Sequence, residues 1–298
     1  MRTIREIYGD IAYKMLEHSQ QPHRVDETAI YQESNLENRR LVESVLEELL
    51  LPGSDLHHFE HLKTLYDAAQ SGKSGLILME HYSNFDVPCL YYFLEQRGEV
   101  GRRIADSIVS MAAMKLNEES RFVLAFTEAY SRIVIYPQRS LDKLQDPEDE
   151  RRARAFNHRA VREMIRCKNE GNLVLMFPTG TRYRPHDPDS ARVLNSVDSY
   201  MKAFDYVVFV GIAGNVLLVN PTSEMSEDFP VRDVVTYSVS PPVDSRRFRS
   251  EHRAAAGTED PKRAVAQAVE RELNRMHEEA VAYRSRLPGV PEQTTQPE

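Results

Sequence analysis

From residue 75 onward the chain repeats one pattern. A short apolar run is followed by a polar loop and then by a helical stripe of apolar residues. The clearest runs lie at 75–79, 132–136, 172–177 and 206–212, with further ones at 104–111 and 234–239. Helical stripes separate them at about 87–96, 118–130, 149–169 and 196–204, and a long one closes the chain at 260–286. Apolar runs of this length that do not alternate with polar residues need cover on both faces, and intervening helices provide it. The expected fold is therefore α/β: a mixed, largely parallel sheet with helices on both faces.

The first seventy residues read differently. Ile4, Ile7, Ile11, Met15 and Leu16 share one helical face. A second helix is expected over about 26–51, with Leu41, Val42, Val45, Leu46, Leu49 and Leu50 as its stripe and Pro52-Gly53 ending it. A third is expected over about 55–70. No strand pattern precedes residue 75. This divides the chain into a small N-terminal helical subdomain (1–72), an α/β domain (73–287) and a tail (288–298) whose composition favours disorder.

Composition excludes some functions. The 298 residues carry 38 Lys and Arg against 46 Asp and Glu, a net charge of −8. That balance argues against a general nucleic-acid binder, whose affinity rests on neutralising phosphates. It leaves room for a local basic pocket. Cys89 and Cys167 have no partner at short spacing, which excludes a disulfide framework and a cysteine metal site and suits a cytoplasmic compartment. The N-terminus lacks a signal-peptide core, and the longest apolar stretch, 206–219, is broken by Gly211, Gly214 and Asn215. The expectation is a soluble protein, with peripheral membrane contact left open.

Chemistry concentrates at three strand ends. After 75–79 comes His81-Tyr-Ser83-Asn84-Phe-Asp86; after 132–136 comes Arg139; after 172–177 comes Pro178-Thr179-Gly180-Thr181-Arg182-Tyr-Arg184. Loops at the carboxyl ends of one sheet converge on one cleft. A histidine base, a carboxylate to orient it and three guanidiniums suit an anionic substrate, because Arg grips phosphate bidentately. Each residue also has a plainer role. His81 alone fits a core histidine; Ser83 with Asp86 fits a Ser-x-x-acid capping box, a role compatible with holding His81. Lone arginines in a loop are usually solvated.

Other patterns carry less. Ser71-Gly-Lys-Ser74 lacks the leading glycine of a phosphate loop, with Asp67 in its place. His57, His58 and His61 lack the zinc-protease pattern and read as a solvated helix face. The 149–169 helix carries Arg151, Arg152, Arg154, Arg159, Arg162, Arg166 and Lys168. It is either a solvated face or a dock for an acidic carrier protein or anionic headgroups.

Taken together, the three loops resemble the glycerolipid acyltransferases of phospholipid synthesis. HYSNFD has their His-x4-Asp signature, RIVIYPQRS their second, FPTGTR their Phe-Pro-Glu-Gly-Thr-Arg signature except at Thr179, and YVVFVGI the place of the fourth. The resemblance covers about 75–243. Thr179, the TRYRP segment and Ser196-Val197-Asp198 are closest in pattern to the soluble plastid glycerol-3-phosphate acyltransferases, although Ser140 stands where that branch has a histidine. The resemblance implies that an acyl group passes from acyl-CoA or acyl carrier protein to the 1-hydroxyl of glycerol 3-phosphate. It implies His81 as the base and Asp86 as its orienter, with Arg139, Arg182 and Arg184 on the phosphate. Ser83, Asn84, Pro178, Thr179, Gly180 and Thr181 would support them. No metal or bound cofactor is needed; the acyl thioester is a co-substrate. A lysophosphatidate acyltransferase and a non-catalytic lipid or carrier binder are the alternatives.

Overall fold

A computed structural model describes residues 1–19, 29–118, 121–220, 225–258, 260–288 and 290. The expected tail lies almost wholly outside the described residues. Eleven strands occur among them: β1 (Tyr31–Gln32), β2 (Asp55–His57), β3 (Gly75–Met79), β4 (Ile108–Ala113), β5 (Arg132–Ile135), β6 (Leu173–Met176), β7 (Tyr206–Ala213), β8 (Leu217–Leu218), β9 (Phe229–Pro230), β10 (Thr236–Val239) and β11 (Val243–Asp244). Nine form one sheet in the order β1-β5-β4-β6-β3-β7-β10-β2, with β11 also on β7, while β8 and β9 pair separately. The centre, β5-β4-β6-β3-β7, is parallel. Pairs β1/β5, β10/β7 and β11/β7 are antiparallel. The mixed, mostly parallel sheet is the one expected, and an N-terminal helical region precedes its centre.

The central strands are buried on both sides. Ile77 and Met79 of β3 pack with Val42, Leu46 and Leu62 from the N-terminal helices, whereas Leu76 and Leu78 pack with Phe156, Met164, Val269 and Met276 on the other face. Those last four come from the helices Pro147–Asn169 and Pro261–Ser285. Each of these helices starts on an aspartate cap, Asp146 or Asp260, followed by proline in the first turn. Asp146 accepts from the Glu148 N–H, and acidic residues fill the first turn while Arg166 and Lys168 sit in the last, complementing the helix dipole.

Three local expectations are corrected. Two short strands, β1 and β2, precede residue 75, and both join the main sheet. They are too short to show a periodic pattern and gain their order from β5 and β10. The second helix runs over Leu36–Leu49, capped by Asn35; of its expected start, residues 26–28 lie outside the described residues and 29–35 are not helical. The expected strand at 104–111 is divided: Gly98–Ser107 is a helix, and only Ile108–Ala113 is strand. Gly101 permits that helix to pack tightly, since an added Cβ would meet the Leu94 carbonyl oxygen.

Parallel pairing places the carboxyl ends of β3 and β6 side by side. The loops after them are therefore neighbours in space although about a hundred residues apart in sequence. The loop after β5 stands two strands further along.

Candidate active site

The chain leaves β3 at Met79 and turns through residues 80–85 into the helix Asp86–Glu95. Asp86 opens this helix and is buried. Its Oδ2 lies 2.9 Å from His81 Nδ1 and accepts from the backbone N–H of Tyr82 (2.7 Å) and Ser83 (2.9 Å). Its Oδ1 accepts from the Ser83 hydroxyl at 3.1 Å. Asp86 is thus an acceptor to every one of these donors. A carboxylate only accepts, so Nδ1 of His81 carries a proton and the Nε2 lone pair is left for a substrate. The imidazole lies flat on Phe177, centroids 3.7 Å apart and planes within 9°. Burial pulls its pKa below the usual histidine value, against the raising influence of Asp86. Neutral imidazole is the form a general base requires.

Of the expected capping box only one half is formed, and the same carboxylate also holds His81. Ser83 N–H donates to Asp86 as in a capping box, and Ser83 Oγ accepts from the Phe85 N–H at 3.0 Å. The helix starts at Asp86 itself, and its cap residue, Phe85, makes no side-chain capping hydrogen bond.

The loop after β6 faces this pair. Gly180 has φ +67° and its N–H reaches the Phe177 carbonyl at 3.0 Å, so the chain reverses tightly there. Thr179 Oγ1 donates to the Thr181 carbonyl at 2.7 Å, and the Pro178 carbonyl accepts from Leu194 N–H at 3.0 Å. The Tyr183 N–H donates to the His81 carbonyl at 2.7 Å, which stitches the two loops together. Arg182 pairs with Asp228. Arg184 is half-buried, and its guanidinium has no hydrogen bond or ion pair among the described residues. Arg139 donates through Nε to the Thr179 carbonyl at 3.1 Å, and through its other end to the Asp189 carbonyl. It braces this loop from the β5 side.

Beyond the expected residues, the fold brings in others. Asp228 is fully buried and accepts from Asn84 Nδ2 (3.3 Å) and the Asn220 N–H (2.9 Å) as well as from Arg182. Burial raises its pKa, and Arg182 opposes that. Beneath the loop, the Tyr82 hydroxyl donates to Glu80 Oε1 at 3.0 Å and stands 3.3 Å from His277 Nδ1. Nothing in the spacing of Asp228, Glu80 or His277 marks them, because their partners are supplied by tertiary packing.

The family model for acyltransferases matches residues 57–213, which contain all five expected site residues and run from the end of β2 through β7. The chain belongs to the acyltransferase family. A search of curated proteins finds no match to it. As a glycerolipid-type acyltransferase it has an acyl donor and an acyl acceptor, and the His-x4-Asp pair lies inside the matched region. Two sequence features of this acyltransferase take structural roles. Asp198 is buried between Arg249 and Arg253. On the Pro147–Asn169 helix, Arg151 and Arg152 pair with Glu148, Arg154 with Glu150, and Arg166 with Glu163 and Glu170. Much of its positive charge is thus balanced on its own surface. Among the described residues no helix is long and apolar enough to cross a membrane.

Proposed function

We propose that this acyltransferase transfers a fatty acyl group from acyl-CoA or acyl carrier protein to the 1-hydroxyl of glycerol 3-phosphate, releasing lysophosphatidate and free thiol. The observation that carries the reading is the half-buried His81 on the buried Asp86, with Arg182 and Arg184 on the adjacent strand-end loop. His81 Nε2 takes the hydroxyl proton as the oxygen attacks the thioester carbonyl. The tetrahedral centre collapses with loss of thiolate, and the imidazolium returns the proton to sulfur. Asp86 holds the tautomer and stabilises the imidazolium. The substrate hydroxyl is the nucleophile, so no acyl-enzyme forms. Arg184, whose guanidinium has no partner among the described residues, is the first contact for the phosphate, with Arg182 beside it. Arg139 keeps the loop that carries them in place. Fixing the phosphate in this way also fixes the hydroxyl near the base.

The test is an assay of purified protein with long-chain acyl-CoA and with acyl carrier protein, offering glycerol 3-phosphate or lysophosphatidate. Glycerol 3-phosphate is expected to be the better acceptor, and His81→Ala to lose about two to four decades of rate. Acylation of lysophosphatidate alone would move the protein to the second step. A folded His81→Ala variant with wild-type turnover would remove the mechanism.

A further inference from the structure

A second cluster of ligand-type side chains lies where β2 meets the helix Phe59–Gln70, and it shares no residue with the His81 site. One ligand atom from each of His58, Glu60 and His61 lies within 4.8 Å of the other two. Their ring nitrogens are oriented by outside partners. His58 Nε2 is 2.8 Å from Glu279 Oε1, and His61 Nδ1 is 2.8 Å from the Val239 carbonyl oxygen. A carboxylate and a carbonyl can only accept, so both of these nitrogens carry protons. The lone pairs of the neutral rings are then on His58 Nδ1 and His61 Nε2. His58 Nδ1 stands 3.3 Å from Glu60 Oε1, another acceptor. Two acceptors at that distance repel unless a cation, either a proton or a metal ion, lies between them.

Ligating imidazoles characteristically donate their other N–H to a carboxylate or a backbone carbonyl. Both histidines here do so. Two imidazoles and one carboxylate suit a zinc-type ion with one position left for water, and in tetrahedral geometry the donor atoms stand about 3.3 Å apart. The Glu60 side chain is 67% accessible and so has room to rotate toward both imidazoles. The backbone contributes by holding His58 at φ 62°, which turns it toward the first turn of the helix.

We propose that His58, Glu60 and His61 form a surface site for one divalent zinc-type ion, with Glu279 and Val239 as the groups that orient the imidazoles. The ion would join the start of the Phe59–Gln70 helix, through Glu279, to the C-terminal helix. The site takes no part in acyl transfer and does not depend on that reading.

The experiment is calorimetric titration of metal-stripped full-length protein with zinc chloride, with circular dichroism to confirm the fold of each variant. Wild type and His81→Ala are expected to bind one equivalent alike. Glu60→Gln and His61→Ala should lose at least tenfold in affinity, and Glu279→Gln about 10–100-fold through loss of orientation. His57→Ala should bind as wild type, because His57 stacks on Tyr283 instead, centroids 3.7 Å apart. Absence of saturable zinc uptake by wild type, or unchanged affinity in Glu60→Gln and His61→Ala, overturns the proposal. So does loss of the binding in His81→Ala.

Discussion

Arg182 and Asp228 form a closed ion pair, the carboxylate fully buried and the guanidinium only 14% accessible. Through Asn84, the same carboxylate also holds the loop that carries His81. A residue outside both signature loops therefore ties them together. Removing one partner of a buried pair costs about 3–5 kcal/mol, because the other charge is left desolvated and unpaired. Asp228→Asn keeps the volume and removes the charge. Its urea-unfolding midpoint is expected to fall by an amount corresponding to about 3 kcal/mol. An unchanged midpoint would show that water, rather than Asp228, balances Arg182.

The pH dependence follows from His81. Burial lowers its pKa, Asp86 works in the opposite direction, and Arg182 adds to the lowering. The neutral base is therefore retained below the ordinary histidine value of about 6.5. On acidification, kcat/KM should hold level through neutrality and drop with a midpoint under about 6.5. Folding stability carries the same sign. The unfolded chain takes the proton first, so the contribution is full above the unfolded pKa and is lost as pH falls. A pH–rate profile of the purified enzyme checks this, and an acid limb centred above that value would contradict it.

Arg184 and Arg139 should fail differently when truncated. The Arg184 guanidinium has no partner among the described residues, so Arg184→Ala should raise KM for the phosphorylated acceptor about tenfold or more and leave the midpoint of unfolding near wild type. Arg139 holds two carbonyls of the 178–194 loop. Arg139→Ala should lower kcat as well as raise KM, because the loop that positions Arg182 and stacks Phe177 on His81 loosens. Steady-state kinetics with varied acceptor separate the two patterns; identical effects would mean that both residues act by the same route.

The central sheet was legible because its strands are long enough to be apolar throughout, as in 75–79 and 206–212. The adjacency of the His81 and Arg182 loops followed from parallel pairing at strand ends. Short elements were not legible. β1 and β2 owe their existence to β5 and β10, and the 98–107 helix, with Ile104 and Ala105 buried, runs directly into the apolar start of β4. In the site, the sequence placed Asp86 against His81 because only four residues separate them across one turn. It could not show that Arg139 turns to carbonyls or that Arg182 meets Asp228, since those contacts are decided by loops packed from distant parts of the chain.

Gly211 tests how the C-terminal helix supports the site. An added Cβ there would lie 2.2 Å from the His277 nitrogen and 2.2 Å from the Met276 carbonyl carbon. Both are backbone atoms of the helix Pro261–Ser285, so no side-chain rotation relieves the overlap. The helix must shift or β7 must bend. His277 then leaves the Ile212 carbonyl (2.8 Å) and Glu80 (3.2 Å), and Tyr82, next to His81, loses its lower support. Overpacking costs about 1–3 kcal/mol, and a backbone clash belongs at the upper end. Gly211→Ala should therefore lose about 3 kcal/mol in urea unfolding and show reduced kcat with native-like circular dichroism. A variant with wild-type stability would mean that the helix rides freely on the sheet, and the supporting role of His277 would fall with it.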